Sequence, residues 1–335
     1  MRNAVLITFV LLVMCIASGN AQKPRLDPAH VMGANSCTEC HGKEIDAWRA
    51  SRHFATFKTL EDSDKANEIA DLLEVDDLTS DSLCVECHFV LQKKGSKTSA
   101  ISGISCESCH GAARDWIKEH NKEKISREQR KEISEKAGMI YPGNLYAVAR
   151  NCFDCHIIKH EELVNKGGHP AFSKDFDLSG WLQGEVRHNF MTDAVPVKKS
   201  GTENREASPE RRRMLFMMGQ LLSLEYSLRA VGKATTAKAK PPGGAKAFGI
   251  QQALRAHALK GNIAKLNKQV NTAEVTAILE VVDTVVLKTK NEAQLVAAAD
   301  KISVLTKKFA ISHDGSKFAA IDNLIPKPHG KTFIP

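Results

Sequence analysis

Cys37-Thr38-Glu39-Cys40-His41, Cys84-Val85-Glu86-Cys87-His88, Cys106-Glu107-Ser108-Cys109-His110 and Cys152-Phe153-Asp154-Cys155-His156 are four copies of one pattern, Cys-x-x-Cys-His. That pattern is the attachment signature of a c-type haem. The paired thiols add across the haem vinyl groups, and the histidine that follows is placed to ligate the iron. Four copies predict four covalently bound c-type haems. Cys37, Cys40, Cys84, Cys87, Cys106, Cys109, Cys152 and Cys155 are the attachment residues, and His41, His88, His110 and His156 the proximal iron ligands. Structural zinc and redox dithiols also use Cys-x-x-Cys, but neither requires a histidine directly after every second cysteine.

The 335 residues hold nine cysteines. Cys15 falls within an N-terminal stretch that reads as a signal peptide over residues 1–21: Arg2 is charged, Val5 to Ile16 is apolar, and Ala21 is small. The apolar run is shorter than the ~20 residues a membrane span needs. The remaining cysteines are all used by the motifs, which leaves none for disulfides. Export and c-type attachment agree, and a periplasmic or otherwise exported location follows as the expectation. No integral span is expected after signal removal, and no nucleic-acid partner. Charge divides unevenly. Residues 196–335 carry 23 Lys and Arg against 11 Asp and Glu, whereas residues 1–195 carry 24 against 28. The basic half either presents a lysine-rich solvated surface or steers an acidic partner.

The expected fold class is mainly α: a multihaem cytochrome c domain with little regular sheet, then a C-terminal bundle-like helical module. The predicted divisions are a tetrahaem domain over 22–195, a linker over 196–209, a helical module over 210–310 and an irregular tail over 311–335. Within the first domain, helices are expected at Lys43 to Phe57, within 60–80, after Gly111 through Trp116 and His120, and at 121–138. Residues 89–105 read as a loop or hairpin, short enough to make the second and third haems neighbours. The module predicts a helix over Arg211 to Val231 opened by Pro209 and Glu210, then helices near 246–260, 272–289 and 291–309. Its Met214, Met217 and Met218 are read as core rather than as axial ligands.

Function turns on the second axial position of each iron. A second histidine gives a saturated iron suited to electron transfer, and an open position allows small molecules to bind. Outside the motifs, His30, His53, His120, His160, His169 and His188 are the candidates for four positions.

Residues 35–190 resemble the tetrahaem cytochrome c-554 family, relatives of the multihaem cytochromes associated with hydroxylamine oxidoreductase. The resemblance is carried by Cys37–His41 with Trp48 and His53, by Cys84–His88 with Lys94-Gly95, by Gly103-Ile104-Ser105 before Cys106–His110, by Gly111, Arg114 and His120 after it, and by the fourth motif. It implies that His53 is the distal ligand of haem 3 and His120 that of haem 1. A downstream histidine, His188 or His169, serves haem 4. The resemblance also implies a five-coordinate haem 2, a position that His169 of Gly167-Gly168-His169-Pro170 is available to fill here. Nothing in it accounts for the C-terminal helices.

Two functions follow as expectations. The first is an exported electron carrier between a redox donor and an acceptor, either other cytochromes or the quinone system. The second is a reductase or oxidoreductase acting on a small nitrogen or sulfur species at an open haem 2, with Arg187, Lys159 or Tyr141 beside it. The helical module suggests self-association or partner docking.

Overall fold

A computed structural model describes residues 26–191 and 201–335. The signal-peptide reading, with Cys15, lies outside these residues, as do Pro196 to Ser200 of the linker. The chain is mainly α-helical with one two-stranded sheet.

In the motif-bearing part the helices are short: α1 (Gly42–Arg49), α2 (Arg52–Thr59), α3 (Asp64–Leu73), α4 (Ser82–His88), α5 (Cys106–His110), α6 (Arg127–Lys136), α7 (Leu145–His156), α8 (Glu161–Asn165) and α9 (Leu178–Gln183). Strands β1 (Val90–Lys94) and β2 (Lys97–Ser102) pair antiparallel, so the 89–105 link is a hairpin. The single helix expected over Lys43 to Phe57 is broken at Ser51, whose extended backbone lets its hydroxyl accept from Phe54 N and start α2. The helix expected around 60–80 is confined to α3, ended by Glu74 in a left-handed conformation. Residues after Gly111 run as successive turns rather than the helix expected there, and α6 opens only at Arg127, behind a Ser126–Gln129 capping box.

The C-terminal part is built on α10 (Pro209–Lys233). Ser208 caps it by accepting from Arg211 N, and Pro209 suits the first turn, where its missing N–H costs nothing. Its apolar residues run around the whole cylinder, as a helix packed on all sides requires. Met214, Leu215, Met217, Met218, Leu221, Leu222, Leu224 and Leu228 are all buried. Around α10 lie α11 (Phe248–Val270), α12 (Ala273–Asp283) and α13 (Glu292–Ser312). The expected stop near 260 is not taken: Ile263, Leu266 and Val270 keep α11 buried for three more turns. The tail contains a 3-10 segment, Ser316–Leu324, whose Phe318 and Ile321 enter the core while Arg213 clamps Asp322 at 2.6 and 2.7 Å.

This core continues into the fourth-motif helix. Leu145, Tyr146, Ala149 and Phe153 of α7 join it, and Tyr146 Oη donates to Glu225 at 3.1 Å and meets Ser303 Oγ at 2.6 Å. No helix among the described residues is long and apolar enough to cross a membrane.

Candidate haem sites

Each motif ends a helix or begins one. His88, His110 and His156 are the last residues of α4, α5 and α7, and His41 is the N-cap of α1. In the second, third and fourth motifs helical spacing then puts both thiols and the histidine on one face. All eight motif cysteines are half-buried and none is in a disulfide. Cys37 hydrogen-bonds Cys106, and Cys87 hydrogen-bonds Cys155. The first motif thus abuts the third, and the second abuts the fourth. The short link predicts neighbouring second and third haems, and Val90 of β1 pairs with Ser102 of β2, which brings the end of the second motif and the start of the third to the same end of the hairpin.

Four of the six candidate histidines each face one motif histidine. Ring centroids are 6.2 Å apart for His41 and His120, 6.4 Å for His88 and His169, 6.3 Å for His110 and His188, and 6.2 Å for His156 and His53. The pairing is one to one. By contrast, Phe176 stacks directly on His156 with centroids 4.2 Å apart. Two metal–imidazole bonds of about 2 Å each, plus the ring radii, give a centroid spacing of about 6 Å.

His120 faces His41, the first-motif histidine. Of the other expected placements, His169 lies where it was available to go, at the second motif, and His53 and His188 differ. His53 faces the fourth-motif histidine rather than the third, because α2 ends up beside α7's C-terminus. His188 faces the third rather than the fourth, and His169 faces the second. The remaining candidates are held by charged side chains: His30 by Asp115 and Arg114, His160 by Glu86 at 2.7 Å. His160 and Lys159 hold the Glu86 carboxyl down at about 2.

The outer nitrogens decide which ring atom is free to bind. Nδ1 of His120 donates to Ile117 O at 2.7 Å, that of His188 to Val186 O at 2.7 Å, that of His169 to Pro170 O at 2.8 Å and that of His110 to Ile140 O at 3.3 Å. A carbonyl can only accept, so Nδ1 carries the proton and Nε2 keeps its lone pair for a metal. His156 Nδ1 lies 2.8 Å from Ser173 Oγ. Burial lowers the pKa of His88 and His110 to about 4 and pushes those of His41, His120 and His169 down as well. These imidazoles are therefore neutral at physiological pH, the form that binds metal.

The donor set fits haem better than zinc. Each facing pair of imidazoles would hold one haem iron, and the porphyrin would supply its remaining donors. Among the described residues, no group of three or more His, Cys, Asp or Glu side chains is arranged to hold a bare ion. Trp116 Nε1, beside His120, is buried without a partner, a donor left for a group in that space.

Residues 36–111 match the family model described as cytochrome c554 and c-prime. The motif-bearing region resembles the cytochrome c-554 family. The chain is also 28% identical to cytochrome c-554 of Nitrosomonas europaea over 205 residues, which is 50% of this chain and 86% of the relative. No solved structure matches significantly. The likeness supports a c-type cytochrome, with covalently bound haem and a place in electron transfer between redox partners.

The residues proposed from sequence to serve an open haem are engaged elsewhere. Arg187 pairs with Glu206 at 3.2 Å, Lys159 with Asp154 and Glu86, and Tyr141 Oη accepts from Arg127. Sequence reasoning missed Ser173 and Phe176, which orient His156. No motif announces them, since both are brought in by the Ile157–Phe172 bridge.

Proposed function

We propose that this chain is an exported tetrahaem c-type cytochrome in which every iron carries two histidines, and that it carries electrons rather than transforming a substrate. The observation behind this reading is the set of four exclusive histidine pairs spaced at 6.2–6.4 Å. Bound haem supplies a one-electron iron couple. The protein's task is to hold that couple rigid, exclude water and set its potential. The backbone carbonyls on His120, His188, His169 and His110 fix the ring planes and make the imidazoles stronger donors, which favours the oxidised iron. The thiol contacts place motifs one and three, and two and four, as adjacent couples. The Asn151 side chain of α7 donates to Cys109 O of α5 at 2.6 Å and joins the couples into one relay. Its donor and acceptor are redox proteins or the quinone system, met on the exported side of the membrane.

Reductive titration of purified protein tests this. Uptake of four electrons per chain, with haem attached at all four motifs, is the expected result. Fewer than four electrons, or steady turnover of hydroxylamine or nitrite by the protein alone, would contradict it.

A further inference from the structure

The added C-terminal half makes a set of polar contacts with the segments that carry two of the distal histidines. His169 follows α8, and its N–H is bonded to Leu163 O at 2.9 Å. The end of α10 grips this segment: Thr235 N and Oγ1 both donate to Glu161 Oε2 at 2.7 Å, and Thr236 N reaches Glu161 Oε1 at 3.3 Å. The start of α11 grips it again, through Phe248 N donating to Asn165 Oδ1 at 2.9 Å and Gln252 Nε2 donating to Ala171 O at 2.8 Å. Leu163, Val164 and Ala171 share a buried cluster with Ala230, Ala234 and Phe248. Gly168 has φ +70, and a Cβ there would lie 3.1 Å from Pro242. His188 is treated similarly by the tail. Glu185 N donates to His329 O at 2.8 Å, His329 N donates to Gly180 O at 2.9 Å, and a Cβ on Gly184 would collide with the His329 carbonyl.

We infer that the C-terminal half is a ligand clamp: Thr235, Phe248 and Gln252 are positioning residues that hold His169 against the second-motif iron, and the tail around His329 and Gly330 holds His188 against the third. An axial histidine on a short loop releases its metal when the loop moves, and an iron so released has an open position. The polar grips fall on Glu161 and Asn165 at the two ends of α8 and on Ala171 just past His169, so His169 is bracketed on both sides and cannot swing away without breaking several bonds at once. This inference rests on the proposed two-histidine ligation.

The test uses the full-length, haem-loaded protein and carbon monoxide binding to the reduced form. Wild type should bind none. His169→Ala should bind one equivalent. Asn165→Ala, Glu161→Gln and Thr235→Val should each bind a fraction of one equivalent, with four haems still attached and the module's helicity unchanged, and Gly330→Val should do the same at the third haem. Carbon monoxide binding by wild type at one haem would overturn the ligation itself. Wild type closed, His169→Ala open and the clamp variants as closed as wild type would overturn the clamp alone. Should a variant fail to load haem, native-state hydrogen exchange on wild type decides: the His169 and Phe248 amides should exchange together, and independent exchange would overturn the clamp.

Discussion

The two parts of this molecule are held together by different means. In the C-terminal part, α10 lies inside a shell of helices, and Leu221, Leu222, Leu228 and Val231 are fully buried among apolar neighbours. In the motif-bearing part the helices are short, and α2 and α4 bury no residue completely. Facing histidine rings there leave a gap between them. One part has a core made by its own side chains, and the other is a wrapper shaped around a cofactor. The comparison teaches that residues buried in the first carry stability, while those in the second carry coordination.

Withholding haem during synthesis should break this comparison most severely. Limited proteolysis and circular dichroism should show residues 26–143 unstructured, with a resistant helical fragment spanning roughly 205–324. Loss of both parts together would mean that the C-terminal core does not stand alone. Next in size, Leu222→Ala removes a fully buried side chain from α10 and should cost about 2–5 kcal/mol in thermal or denaturant unfolding.

A smaller effect is expected at the junction. Tyr146→Phe removes the hydroxyl that serves Glu225 and Ser303, leaving both buried groups short of a partner, and should cost about 1–3 kcal/mol. The same residue sets a pH limit. Burial, with Glu225 alongside, raises the Tyr146 phenol to about 12 from the ordinary 10. The folded chain therefore keeps a proton that the unfolded chain loses. The resulting stability is fully present below pH 10 and disappears as pH rises through 12. Alkaline unfolding of wild type should steepen across that window, and Tyr146→Phe should flatten it. Smallest of all, Lys136→Ala removes an exposed, solvent-screened pair with Glu132 and should leave the unfolding midpoint where it is in wild type.

Much of this division was legible in the sequence. Four Cys-x-x-Cys-His motifs named the cofactor, and the apolar run from Met214 to Leu228 announced a buried helix opened by Pro209. His53, His120, His169 and His188 were visible as candidates because histidine is the natural second ligand. Which one meets which motif was not legible, since pairing depends on how short helices pack. His53 meets His156 across some 100 residues of chain, and nothing local to Arg52-His53-Phe54 encodes that. The placing of His169 was hidden for a related reason. Its loop is held by Thr235 and Phe248, ordinary residues whose role exists only once α10 and α11 have packed. The stretch Lys43 to Phe57 divides into two helices because Ser51, a strong N-cap residue, starts a new one.

The most direct test of the account is the spin state of the irons in the isolated protein, read by near-infrared magnetic circular dichroism of the oxidised form. If each motif histidine shares its iron with the histidine facing it, all four haems are low-spin with bis-histidine charge-transfer bands. A high-spin haem, at the second motif or any other, would contradict the pairing on which the account rests.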